Sequence, residues 1–328
     1  MTSWRGVAIG ALAVVFAIAV GIILGSGPLR TALTGQTAAQ ADALRGELAD
    51  RDAQLIAKDQ LLAANQELIA ALVPVAAHDR LAGETAVVLV GPGVDASAVE
   101  ATTAALEAAG ADVSATATLA PSWLSAEHVA FRAALAQQII ADVGVADATA
   151  SPEQVLSGAL VQALVPSAAV AAGPAPDPGE APLDAAIAAQ RSAVLRDVLT
   201  RAELVTIAEA QTPSDPASPA PEPTIAVILV GDETDAAARA TSAQQLVRLA
   251  AAFGQAGLGT VLASGTPQSD DVGAAVAADR EASGGASVVA NAWSDVGPLV
   301  IVLAAQEQRA GGAGIYGSSE RGTLLPSP

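Results

Sequence analysis

Hydrophobic and polar positions change period several times along the chain. From Gly6 to Gly27 the stretch GVAIGALAVVFAIAVGIILGSG carries no charged residue. At a rise of about 1.5 Å per residue, a helix over these 22 residues reaches about 33 Å, enough to cross the core of a bilayer. A secretory apolar region is usually about 7–15 residues long. The run therefore reads first as an uncleaved anchor, then as a cleaved signal, and last as a buried soluble helix. Gly25, Ser26 and Gly27 are small enough for cleavage. Trp4 and Arg5 stand at the front edge, where an indole and a guanidinium suit the membrane interface. Arg5 and the α-amino group favour an inside N-terminus, while Arg30 and Arg45 blunt that bias. Long following domains translocate largely regardless of charge, which places the body outside the cytoplasm as a single-pass protein, with the choice of inner or outer envelope membrane left open.

From Gln36 to Leu72 the period becomes seven. Ala41, Leu48, Leu55, Leu62 and Ile69 form one row. Thr37, Leu44, Arg51, Lys58, Asn65 and Leu72 form a second, partly polar row. This is a coiled-coil seam. A lone polar helix has nothing on which to bury such a stripe, so a homo-oligomer through Leu44, Leu48, Leu55, Leu62, Asn65 and Ile69 is expected. Arg51, Lys58 and Asn65 cost stability but fix register and favour a low-order, parallel assembly. The alternative is a single helix packed on its own domain. Pro74 is expected to end the rod.

Beyond it the pattern alternates between buried strands and amphipathic helices. Thr85–Val90 reads as a strand, Gly91 to Gly93 as a turn, and Ala96–Ala109 as a helix closed by Gly110. A second strand, Val113–Leu119, completes a βαβ unit with a parallel pair. A second copy follows Pro223: strand Thr224–Val230, turn at Gly231, helix Asp235–Phe253 and strand Thr260–Ala263. The shared VxLVG and the similar helix endings suggest a duplication. Ser287–Ala290 reads as a short strand and Pro298–Gln308 as a helix. Helices are also expected over 126–142, 152–165 and 183–201. Pro-rich loops are expected at 166–182 and 212–223. The expected class is α/β: a transmembrane anchor (1–30), a coiled-coil stalk (31–73), and a doubly wound body with two βαβ units (74–328).

Composition narrows the chemistry. There are no cysteines, which excludes disulfides, thiolate nucleophiles and Cys-based metal sites. A formal net charge of −19 argues against nucleic acid as a partner. GPGVDA after the first strand is not a dinucleotide loop, because Ala96 stands where the third glycine would be. GDETDA at 231–236 lacks the Lys-Ser/Thr of a phosphate loop, so Asp232, Glu233 and Asp235 read as helix-capping acids. His78 and His128 are the only histidines and spell no catalytic or zinc motif. Ser122, Ser125 and Ser264 have no recognisable base. No enzyme is expected, although paired carboxylates leave no sequence signature. In the C-terminal GGAGIYGSSERG, Gly314, Tyr316 and Gly317 are candidates for contact with a partner, against a loose tail with one aromatic pinned to the body.

GIILGSG at the end of the apolar run, the leucine stalk, VVLV, VILVG, GTVLASG and the closing GIYG occur in an order that resembles the mycobacterial copper-transport envelope family of actinobacteria. The resemblance covers nearly the full chain. It implies an envelope protein that lowers intracellular copper. A sister group in corynebacteria implies a septal factor that acts with a membrane partner to control cell-wall hydrolysis. Copper enters as a cofactor or cargo by this resemblance alone, and no ligand position follows from it. Cu(I) favours Cys or Met sulfur, and the only Met here is the first residue. One transmembrane helix is not a pore, so any conduit needs an oligomer. The alternative is a non-catalytic scaffold whose stalk spaces an acidic head that docks another envelope protein.

Overall fold

The apolar run folds as a helix, α1 (Trp4–Gly25), in a computed structural model of the chain. The structure describes residues 4–25, 28–143, 150–171, 185–209, 221–231, 236–265, 271–278, 285–317 and 322–326. In α1 the side chains of Leu12, Val14, Val15, Phe16 and Ile18 are exposed. The heptad segment lies in α2 (Pro28–Ala77). Pro28 occupies the first turn, where its fixed φ and missing N–H are no cost. Pro74 does not end the helix, contrary to the sequence expectation: it lies inside the final turn, and α2 runs on to Ala77. So near a helix end a proline removes one backbone bond without a long following segment to disrupt. The chain divides into two units, Met1–Glu67 and Leu68–Pro328.

The second unit carries the sheet. Its elements in order are β1 (Thr85–Val90), α3 (Ala96–Ala108), β2 (Asp112–Leu119), α4 (Pro121–Leu124), α5 (Val129–Val143), α6 (Pro152–Leu164), α7 (Pro166–Ala171) and α8 (Ala185–Arg201). There follow β3 (Val205–Glu209), β4 (Ile225–Val230), α9 (Ala236–Gln255), β5 (Gly259–Ser264), α10 (Asp271–Ala278), β6 (Ser287–Val289), α11 (Gly297–Arg309) and β7 (Ile315–Tyr316). A 3-10 turn over Ala126–His128 precedes α5. Four of these elements had no counterpart in the sequence reading: α4, β3, α10 and β7. Residues 166–171 were expected in a loop and are helical; 172–182 and 212–220 lie outside the described residues.

The strands form one seven-stranded sheet in the order β3-β2-β1-β4-β5-β6-β7. All pairs are parallel except β2 with β3. β1, β4 and β5 are buried along their whole length, as their unbroken apolar runs require of strands covered on both faces. One face packs Val87, Leu89, Ala226 and Ile228 against α5, α6, α8, α9 and α10. The other packs Val88, Val227, Leu229 and Val261 against α3 and α11.

The two expected βαβ units share this sheet and meet at β1 and β4, with Val87 beside Ala226 and Val90 beside Leu229. The step from β1 to β2 carries α3 on one face. The steps from β4 to β5 and β5 to β6 run the other way and carry α9 and α10 on the opposite face. These three crossovers therefore have one hand. The step from β6 to β7 keeps the second direction yet carries α11 on the α3 face, so it has the opposite hand. About 98% of such crossovers share the right-handed sense, so this exception needs a cause. Burial supplies one: Val300, Ile301, Ala304 and Ala305 of α11 cover the β4–β6 surface on a face otherwise shielded by α3, Ala77 and Leu81.

The amino ends of β1 and β4 are tied through Glu84. Thr224 Oγ1 donates to Glu84 Oε2 at 2.5 Å, and Arg309 Nε, at the end of α11, pairs with the same oxygen at 2.9 Å. The Thr224 hydrogen bond holds the Glu84 carboxyl below the ordinary glutamate range; burial, the next influence, pushes it upward, and the bond and charge of Arg309 add to the lowering. A depressed folded pKa stabilises above the unfolded value, about 4.3, and that stability is lost as pH falls through the lower folded value. Glu84→Gln is expected to flatten the pH dependence of the urea midpoint below about pH 4.3. An unchanged slope would show that Glu84 contributes nothing to it.

Candidate functional site: the stalk face and the carboxyl end of the sheet

The stalk presents apolar side chains to solvent. Leu44, Leu48, Leu55 and Leu62 are 56–60% exposed, Asn65 is exposed and Ile69 is half-buried. The spacing of three from Ala41 to Leu44 and four from Leu44 to Leu48 puts the Leu48–Leu55–Leu62 row at heptad position a and the Leu44–Arg51–Lys58–Asn65 row at d. Leu61, Leu68 and Val75, also exposed, fall at g and widen the apolar face beyond the two rows read from sequence. Arg51 Nη2 pairs with Glu47 Oε1 at 3.0 Å along the same helix, so one of the two cations in the d row has a partner on its own helix. Within α2 the stretch Ala43–Ala77 is also long and apolar enough to cross a membrane by length and composition alone. It contains Arg45, Glu47, Asp50, Arg51, Asp52, Lys58, Asp59 and Glu67, however. Each charge at mid-bilayer costs about 2.5–3.5 kcal/mol, whereas α1 holds only Arg5, at its edge. The stalk is the poorer span.

At the carboxyl end of the sheet, strand order reverses between β1 and β4. Open α/β sheets bind ligands at such a point. Here the turns that follow the two strands pack on each other. Gly91 N–H donates to the Leu229 carbonyl at 2.8 Å, and a Cβ on Gly91 would lie 2.8 Å from that oxygen. A Cβ on Gly231 would collide with the carbonyl of Pro92. The glycines of GPG and VG thus serve backbone-to-backbone contact. Asp232, Glu233 and Asp235 lie outside the described residues.

The remaining candidates have local structural roles. Ser122 Oγ donates to the Glu203 carbonyl at 3.0 Å, and Ser125 Oγ accepts from Glu127 N–H at 3.2 Å. Ser264 is buried at the end of β5. His78 is exposed, with Nε2 3.4 Å from Asp79 Oδ2, and His128 is exposed in the 3-10 turn. Among the described residues there is no group of three or more His, Cys, Asp or Glu arranged to hold a metal ion.

The closing GIYG packs against the body through its tyrosine. Tyr316 is 4% exposed and lies in β7, its hydroxyl donating to Glu307 Oε2 of α11. A Cβ on Gly314 would collide with the Tyr316 ring and hydroxyl. Gly317 has φ +78°, and a Cβ there would strike the Ala290 carbonyl. Gly314 and Gly317 admit the tyrosine and close β7 onto β6. Tyr316→Phe is expected to lower unfolding stability by about 1.5 kcal/mol, the worth of a hydrogen bond to a charged group. Chemical denaturation at neutral pH measures it, and a loss near zero would contradict the bond.

A search of the curated proteins found no match for the chain. The family model described as MctB, copper transport outer membrane protein, matches residues 1–326. The match takes in the apolar helix, the stalk and the α/β body together, and the chain belongs to the MctB family of copper transport outer membrane proteins.

Proposed function

We propose that this protein serves copper transport at the cell envelope as a membrane-anchored, stalked oligomer that lowers intracellular copper. The family match over residues 1–326 carries this reading. The exposed apolar side chains of α1 suit contact with lipid, with the body on the extracytoplasmic side. A single helix encloses no conduit, so passage of an ion requires several copies or a partner. The exposed leucine row of α2 supports assembly of copies. Copper is cargo here. The chain has no Cys and a single Met at position 1, which disfavours a sulfur site for Cu(I) within it. Its contribution on this reading is to anchor and assemble. A deletion strain is expected to become copper-sensitive in growth, with resistance restored by the intact gene. Growth equal to the parent across copper concentrations would oppose the proposal.

A second reading is a non-catalytic scaffold whose stalk spaces the acidic α/β body for docking to another envelope protein, in control of septal cell-wall hydrolysis. The leucine row favours it as much as it favours transport. Septation defects in the deletion strain at unchanged copper tolerance would select this reading.

A further inference from the structure

The seam of α2 carries its charges in a fixed order. Arg51 and Lys58 stand at heptad position d, and each is followed at e by an acid, Asp52 and Asp59. All four are exposed. Arg51 has Glu47 one turn back on its own helix. The other three have no such recourse. Side chains on one helix meet at spacings of three and four, and none of those positions around Asp52, Lys58 or Asp59 holds a charge. Accordingly these three have no ion-pair partner among the described residues.

A second copy supplies what the single helix lacks. Stalks that rise from anchors in one membrane run parallel. In a parallel two-stranded coil, a side chain at d enters a hole lined by d, e and two a residues of the facing helix. In register, Arg51 then meets Asp52 of the second copy, between that copy's Leu48 and Leu55. Lys58 likewise meets Asp59, between Leu55 and Leu62. The two-fold axis repeats each pair. The g and e positions that face each other at the level of Arg51 hold Glu47 and Asp52, two acids. The guanidinium stands between them and has N–H groups for both. A slip of one heptad would set an Arg51 against Arg45 and a Lys58 against Gln66, so the charges select the unslipped register. Two strands also leave the heads of these long cations at the rim of the seam, where a third would enclose them. We propose that the stalk pairs with a second copy of this chain as a parallel, in-register, two-stranded coil, closed by Arg51–Asp52 and Lys58–Asp59 ion pairs between the copies. This pairing rests on the stalked oligomer above and gives it an orientation and a register.

The test is a reciprocal charge exchange in the full-length protein, read by sedimentation velocity in a mild detergent over a concentration series. One variant is Asp52→Arg with Asp59→Lys, in which seam cations face cations. The other is Arg51→Asp with Lys58→Asp, in which acids face acids. Each alone is expected to associate at least about tenfold more weakly than the parent. An equimolar mixture is expected to regain the parental dimer, because each variant then meets its complement; that recovery also shows both to be folded. The chain has no cysteine, so Leu55→Cys reads the register independently. It should form a disulfide between copies under mild oxidation, and Gln60→Cys, on the opposite face of the helix, should not. Parental association in both exchange variants, or a mixture that stays monomeric, would overturn the ion pairs while leaving the oligomer in place. A parent that sediments as a trimer, or a Leu55→Cys variant that fails to cross-link, would overturn the parallel pair. A parent that is monomeric at every concentration would remove the stalked oligomer itself, and this pairing with it.

Discussion

Replacing Leu48, Leu55 and Leu62 together by Gln is expected to leave the full-length protein monomeric. Each of these side chains is more than half exposed in a single chain. Burying a leucine contributes about 1.5–3 kcal/mol. Three per chain therefore remove at least about 4.5 kcal/mol from each subunit's share of an assembly. At 1.4 kcal/mol per decade, this weakens association by about a thousandfold or more. Sedimentation velocity in a mild detergent, over a range of protein concentrations, reads the outcome. The parent should sediment as an oligomer and the triple variant as a monomer. A parent that is already monomeric would show that the stripe meets lipid or another protein instead. Asn65→Leu, in the partly polar d row, should strengthen association while loosening its register, because a polar seam position exchanges stability for specificity.

Gly231→Ala is expected to be among the most damaging single methyl additions in the body. The added Cβ meets the carbonyl of Pro92, which is backbone and has no rotamer by which to move away. Relief requires the turns after β1 and β4 to separate, and with them the Gly91 hydrogen bond to Leu229. Overpacking of this kind costs about 3 kcal/mol, near the upper end of the usual range. Gly257→Ala is the internal comparison. Its φ is +87° but nothing lies within 4 Å of the added methyl, so only backbone strain remains, about 1–2 kcal/mol. Urea denaturation of the two variants separates steric contact from conformational strain. Equal losses would contradict the close approach of the two turns.

What was legible in the sequence was whatever depended on local pattern. β1 and β4 are unbroken apolar runs ended by glycine, and only a strand covered on both faces uses such a run. The heptad leucines were legible because a period of seven needs no tertiary context. Elements whose existence depends on neighbours were not. β7 is two residues long and exists because Gly314 and Gly317 let Tyr316 fold against α11 and β6; in sequence, the same glycines suggest a loose tail. β3 is a half-exposed edge strand, and its alternation over five residues is too short to stand out. The opposite hand of the last crossover answers a need to cover one face of the sheet, which no local segment reports. Arg132 lies in a helical stretch that reads as amphipathic surface, and its 2% exposure arises only when α4, α6 and α9 close around it. Copper itself was legible only through the order of motifs, since the chain lacks the sulfur ligands that would announce it.

The proposed function rests on copper, and cellular copper is the direct measurement. Cell-associated metal would be determined by mass spectrometry at a fixed copper load in the parent, a deletion strain, and deletion strains carrying either the intact gene or the Leu48/Leu55/Leu62→Gln variant. The account predicts that copper rises on deletion, returns to the parental level with the intact gene, and stays high with the monomeric variant. Copper equal to the parent in all four strains would contradict it.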